Sequence, residues 1–126
     1  MSDWPESEWI KDDLEKLRKY RSRVDTLGWQ ILLLEADADG LRKTRIEELR
    51  KEQAKCRAYV EYYDRLLALL PEDERLALEI LMIDDGKNRI DRAKDALHRE
   101  KSTLYRLKDR ALLQLANLVT ESQDSM

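Results

Sequence analysis

The segment IEELRKEQAKCRAYVEYYDRLLALL, residues 46–70, decides how the chain is read. One stripe runs through Ile46, Leu49, Gln53, Cys56, Val60, Tyr63, Leu67 and Leu70, in steps that alternate three and four. That spacing returns to one side of an α-helix at every step, which is the period of a left-handed coiled coil. Thr44 followed by Glu47 spells a capping box ahead of it, and Pro71 closes it. Gln53 is the polar residue of the stripe, where an amide can fix register. Cys56 reads as a small buried hydrophobe. These eight residues are the candidate stem surface, either within one chain or between copies in an oligomer.

Upstream lies a second amphipathic stretch. Ile10, Leu14 and Leu17 run in one phase, and Tyr20, Val24, Leu27, Ile31 and Leu34 in a neighbouring one. Pro5 suits a first helical turn capped by Ser2 or Asp3. Gly28 inside such a helix costs about 1 kcal/mol against alanine, which a close helix crossing would explain. Asp37 to Gly40 is the natural break, with Gly40 suited to a left-handed position. Two helices of this kind, each about 45 Å long and joined by a short turn, fold back as an antiparallel hairpin.

Composition agrees with helices. The chain has 126 residues, 40% of them charged, with three glycines, two prolines and no phenylalanine, a balance typical of long helices. The expected fold class is all-α: a coiled-coil-like hairpin stem over residues 1–70, a tri-helical module over 71–120, and a disordered tail over 121–126. In the module, the spacing predicts helices over Glu72–Ile83, from Lys87 or Asn88 to Leu97, and over Lys101–Val119. A turn at Asp84-Asp85-Gly86 and a tight one at His98–Glu100 separate them. Acidic residues open the first of these helices, as the macrodipole prefers.

Charge is divided unevenly. Residues 87–110 hold nine basic and four acidic side chains, a net +5, which leaves −8 for the rest of a chain totalling −3. Such asymmetry points to a nucleic-acid surface. A ten-residue helix, a tight turn and a longer basic helix make the layout of a helix-turn-helix, whose second helix enters the major groove of double-stranded DNA. Ala93, Leu97, Leu104 and Leu107 would close the core between the two helices. Lys101, Ser102, Thr103, Tyr105 and Arg106 would project from the start of the second.

The run Leu70-Pro71-Glu72-Asp73-Glu74-Arg75 and the run Ser102-Thr103-Leu104-Tyr105-Arg106-Leu107-Lys108-Asp109-Arg110-Ala111-Leu112 together resemble region four of sigma factors. The likeness extends to small phage and prophage sigma-like transcriptional regulators of the ArpU/RinA type, and covers about Leu70 to Leu115. It implies DNA binding through the last helix and contact with RNA polymerase. Carried over by position, Ser102, Thr103, Tyr105 and Arg106 would approach base edges, with Arg106 the first choice for a guanine. Arg99, Lys101, Lys108 and Arg110 would hold phosphates, which position without reading sequence. The chain departs from the family pattern at Lys94, usually a small residue, and at Arg99, usually apolar.

Other chemistry is poorly supplied. The single cysteine cannot staple the chain, and with no apolar signal segment this points to a reducing, cytoplasmic setting. No apolar run approaches the roughly 20 residues of a membrane span. His98 has no second ligand at metal spacing and reads as a turn residue in place of glycine. The carboxylate pairs Asp12-Asp13, Glu47-Glu48 and Asp84-Asp85 lack a nucleophile, base and oxyanion donors beside them, so neither an enzyme nor a cofactor is expected. Trp4, Trp9 and Trp29 read as core or hairpin-packing residues. Two other readings share these features: an oligomeric packaging component like small terminase subunits of phages, and a helical adaptor for RNA polymerase.

Overall fold

The computed structural model describes residues 5–36, 42–84 and 86–124. Among these the chain forms five helices and no strand. Helix α1 spans Pro5–Glu35, α2 Lys43–Leu67, α3 Glu72–Leu78, α4 Arg89–Leu97 and α5 Lys101–Asp124. The all-α class is the one expected. The Asp37–Gly40 break, the Ser2 or Asp3 cap, Trp4 and Asp85 lie outside the described residues.

The stripes do what their period dictates. Helices α1 and α2 run side by side in opposite directions, since rising numbers on one meet falling numbers on the other. Tyr63 donates its hydroxyl hydrogen bond to the Asp13 carboxylate, Arg21 reaches Asp64 at 2.6 Å, and Arg23 Nε reaches Glu52 at 2.7 Å. Arg50 pairs with Glu35 further along. The heptad of α2 is spent inside the chain: Leu49, Cys56, Tyr63, Leu67 and Leu70 are buried, and Ile46, Gln53 and Val60 are half-buried. Gly28 and Gln53 explain each other. The Gln53 amide donates to the Val24 carbonyl at 3.1 Å, and a Cβ at position 28 would stand 3.3 Å from the same nitrogen.

Two apolar clusters fill the contacts. Leu27, Ile31, Leu49 and Cys56 form the distal one. The larger joins Ile10, Leu14 and Leu17 of α1, Tyr63, Leu66, Leu67 and Leu70, Leu78 and Ile83, and Ala111, Leu112, Leu115, Ala116 and Val119 of α5. One core therefore crosses residue 70, and the base of the stem is part of the packing of α5. Above it Tyr20, Tyr59, Tyr63 and Tyr62 contact edge-on or tilted at 5.0–5.2 Å between ring centroids, with Lys16 over the first two rings.

Several local expectations are corrected. Helix α2 begins at Lys43 with Arg42 as its cap and no side-chain cap bond, so Thr44 and Glu47 lie inside the helix and form no capping box. It ends at Leu67, and residues 68–70 are turns ahead of Pro71. The third helix is α-helical only to Leu78, then widens into a π-helical turn, Glu79–Ile83, closed by Asp84 N–H on the Glu79 carbonyl at 2.7 Å. That wider turn lets Leu78 and Ile83, five apart, both enter the core. Helix α5 runs on to Asp124, so residues 121–124 are helical where a tail was expected. Trp29, expected to pack, is 68% exposed, whereas Trp9 packs half-buried on the main core.

Candidate nucleic-acid interface

The α4–α5 region is set by two left-handed residues. Asn88 at φ 58° precedes α4, and His98 at φ 54° ends it, with its N–H on the Lys94 carbonyl at 2.7 Å. His98 thus takes the conformation glycine usually supplies, and the chain turns into α5 within three residues. Ala93 and Leu104 are buried where the two helices meet, with Leu97 and Leu107 half-buried beside them. Arg89 ties α4 to the π-helical turn by donating to the Leu81 carbonyl at 3.3 Å.

Burial of Leu104, Ala111, Leu112 and Leu115 fixes which side of α5 faces out. Lys101, Ser102, Tyr105, Arg106 and Arg110 are exposed, as is Arg99 in the turn. Thr103 and Lys108 are half-buried. Seven of the eight residues predicted at the interface therefore line one helix, and the eighth stands directly before it. Thr103 is the least available for a base contact.

Tyr105 has a definite role in this arrangement. The ammonium groups of Lys101 and Lys108 lie over its ring, 5.8 and 5.2 Å from the centroid. The phenol face attracts cations through its quadrupole, so the ring holds two lysines one turn either side of it. That occupation leaves less of the ring for stacking on a base. Two adjoining clefts share Lys94, Lys101 and Tyr105, one of about 760 Å³ extending to Arg99 and Glu100, the other of about 800 Å³ extending to Arg89, Lys108 and Lys11. Lys11 comes from α1. Sequence reading missed it because no local spacing links residue 11 to residue 101; only the packing of α1 on the core brings them together. Lys94, read as a departure from the family pattern, faces both clefts as a further cation.

Cross-helix ion pairs such as Arg21–Asp64, Arg23–Glu52 and Arg50–Glu35 belong to the stem. Arg99, Lys101, Arg106 and Arg110 reach no carboxylate among the described residues; Lys108 alone pairs, with Asp109 at 3.1 Å. Asp109, exposed one turn on from Tyr105 and Arg106, is the acidic residue within the stretch 101–110 of α5. Asp95 and Glu100 are exposed and pair with none of these cations. Among the described residues, no group of three His, Cys, Asp or Glu could hold a metal ion, and no helix is long and apolar enough to cross a membrane.

Compared with known protein families, characterised proteins and solved structures, the chain matches none.

Proposed function

We propose that this chain is a DNA-binding transcriptional regulator in which the first turns of α5, with the turn before them, dock on double-stranded DNA. The observation that carries the reading is the set of exposed cations, Arg99, Lys101, Arg106 and Arg110, with no carboxylate partner among the described residues, on one short stretch of an acidic protein. Unpaired cations on a small, rigid surface are what phosphate neutralisation needs, because no internal pair has to be broken before the counterions of DNA are released. Lys101 and Lys108, held over the Tyr105 ring, serve the phosphates. Arg106 on the outer side of α5 serves a base edge, guanine being the natural partner for a bidentate guanidinium. The likeness to region four of sigma factors supports the same surface, and supplies the phage or prophage setting and RNA polymerase as a second partner.

Binding of fluorescent genomic duplex fragments, followed by anisotropy at rising salt, tests the reading. Affinity should fall steeply with salt, and replacing both Lys101 and Arg106 with alanine should weaken binding and reduce the salt slope by about one, the phosphate contact of Lys101. Absence of binding at low salt, or a double variant that binds as the parent does, would overturn it.

A further inference from the structure

Trp29, Leu32 and Leu33 stand 68%, 57% and 71% exposed on one side of α1, far from the basic clefts. They lie off the stripe that α2 covers. Directly beside them a groove of about 490 Å³ runs between α1 and α2 over Gly28 and the Gln53 amide that packs on it, with Trp29 and Leu32 on its rim. Asp25 stands on the α1 wall of that groove and Arg57 on the α2 wall; both are exposed, and neither has an ion-pair partner among the described residues.

We infer that this face is a homodimer interface, in which Trp29 of each copy seats in the Gly28 groove of the other. Three features select a second copy as the occupant. A knob and a groove lie side by side on one surface, which is the self-complementarity a two-fold interface requires, since residue i must meet j while j meets i. The groove also carries one unpaired anion and one unpaired cation, so the same operation pairs Asp25 with Arg57 twice. Exposed apolar area is the third. Three side chains so exposed present apolar surface on the order of 400 Å² per copy, about half of the roughly 800 Å² per partner that a stable interface buries. The heptad of α2 is not available for this purpose, being covered by α1. The inference is independent of DNA binding, because it uses neither α4 nor α5.

Sedimentation velocity of the full chain over a range of concentrations tests it. The parent should pass from monomer to dimer. Trp29→Glu and, separately, Leu33→Glu should weaken the dimer by at least about 30-fold, as expected for a central aromatic or leucine anchor. Both positions are exposed, so far-ultraviolet circular dichroism and thermal unfolding of the monomer should stay as in the parent. Asp25→Arg and Arg57→Asp should each weaken the dimer, and the two together should restore it, an outcome a foreign partner's groove would not give. A parent that stays monomeric at every concentration overturns the inference, as does a dimer that survives Trp29→Glu. Failure of the double reversal to restore association overturns the Asp25–Arg57 pairing on which the choice of a second copy rests.

Discussion

In the stem, Arg21, Arg23 and Arg50 each reach across from one helix to a carboxylate on the other. In the α4–α5 region Arg99, Lys101, Arg106 and Arg110 reach no carboxylate among the described residues. Both regions are rich in basic residues, both are helical, and they share one apolar core. What differs is the use of the cations. Arg21, Arg23 and Arg50 close an interface inside the chain, so their charge is already answered. Those of α5 face water, where solvation satisfies them and an incoming polyanion can replace that solvent. Net charge already separates the regions in the sequence, +5 over residues 87–110 against −8 for the rest, and the pairs that cross between α1 and α2 add a structural difference.

The contrast is confined to the surface, and the largest effect should show this. Leu14 on α1 is fully buried in the core that α5 also lines. Leu14→Ala should cost roughly 2–5 kcal/mol, the usual range for such a cavity. The loss should appear in both regions at once. If amide exchange showed α5 keeping its protection while α1 and α2 lost theirs, the shared core would not couple the regions, and the comparison would be between two independent units.

A second difference is pH. The stem holds its tyrosines in apolar surroundings next to Asp13, whereas Tyr105 sits in the open among lysines. Burial first, and the Asp13 carboxylate second, push the Tyr59 phenol up to about 12 from 10.0. Burial and the hydrogen bond to Asp13 raise Tyr63 further. A folded state that keeps these protons more tightly than the unfolded chain has their contribution in full below pH 10 and loses it as pH rises through 10 toward 12 and beyond. Stability measured by urea titration should therefore fall over that range. Tyr63→Phe should flatten the fall. A fall of the same depth in Tyr63→Phe would exclude Tyr63 as its source.

How much of this was legible in the sequence follows from what each feature depends on. The stripes of α1 and α2 depend only on helical period, and Leu14, Leu27, Leu49 and Tyr63 are buried as that period requires. The exposed residues of α5 were legible for the same reason, with Leu104 and Leu107 read as its inner side. Trp29 shows the opposite case. It stands two residues from both Leu27 and Ile31, about 200° around the helix from each, so its phase pointed outward while its size suggested burial; phase decided. Lys11 in the basic cleft and the π-helical turn at Glu79–Ile83 depend on contacts far apart in sequence, which no local pattern carries. The capping box failed for a smaller reason: α2 starts one residue ahead of Thr44, which leaves the hydroxyl no free N–H to accept from.

The smallest effects bear most directly on the pairing contrast. Arg23 and Glu52 are each 43% exposed at the side chain, so water screens their attraction and the pair should contribute no more than about 1 kcal/mol. Arg23→Ala and Glu52→Ala should each destabilise slightly, and a double-mutant cycle should return a coupling of a few tenths of a kcal/mol that shrinks in high salt. Arg106→Ala should change stability by less than about 0.5 kcal/mol in either direction, because it breaks no pair. Its cost should fall on DNA affinity instead, where Arg23→Ala should have none. The two substitutions thus exchange signatures, one read by urea titration and the other by anisotropy. An Arg106→Ala protein that lost stability and kept its affinity would mean that this cation belongs to the fold after all, and that the division between answered and unanswered charge is drawn in the wrong place.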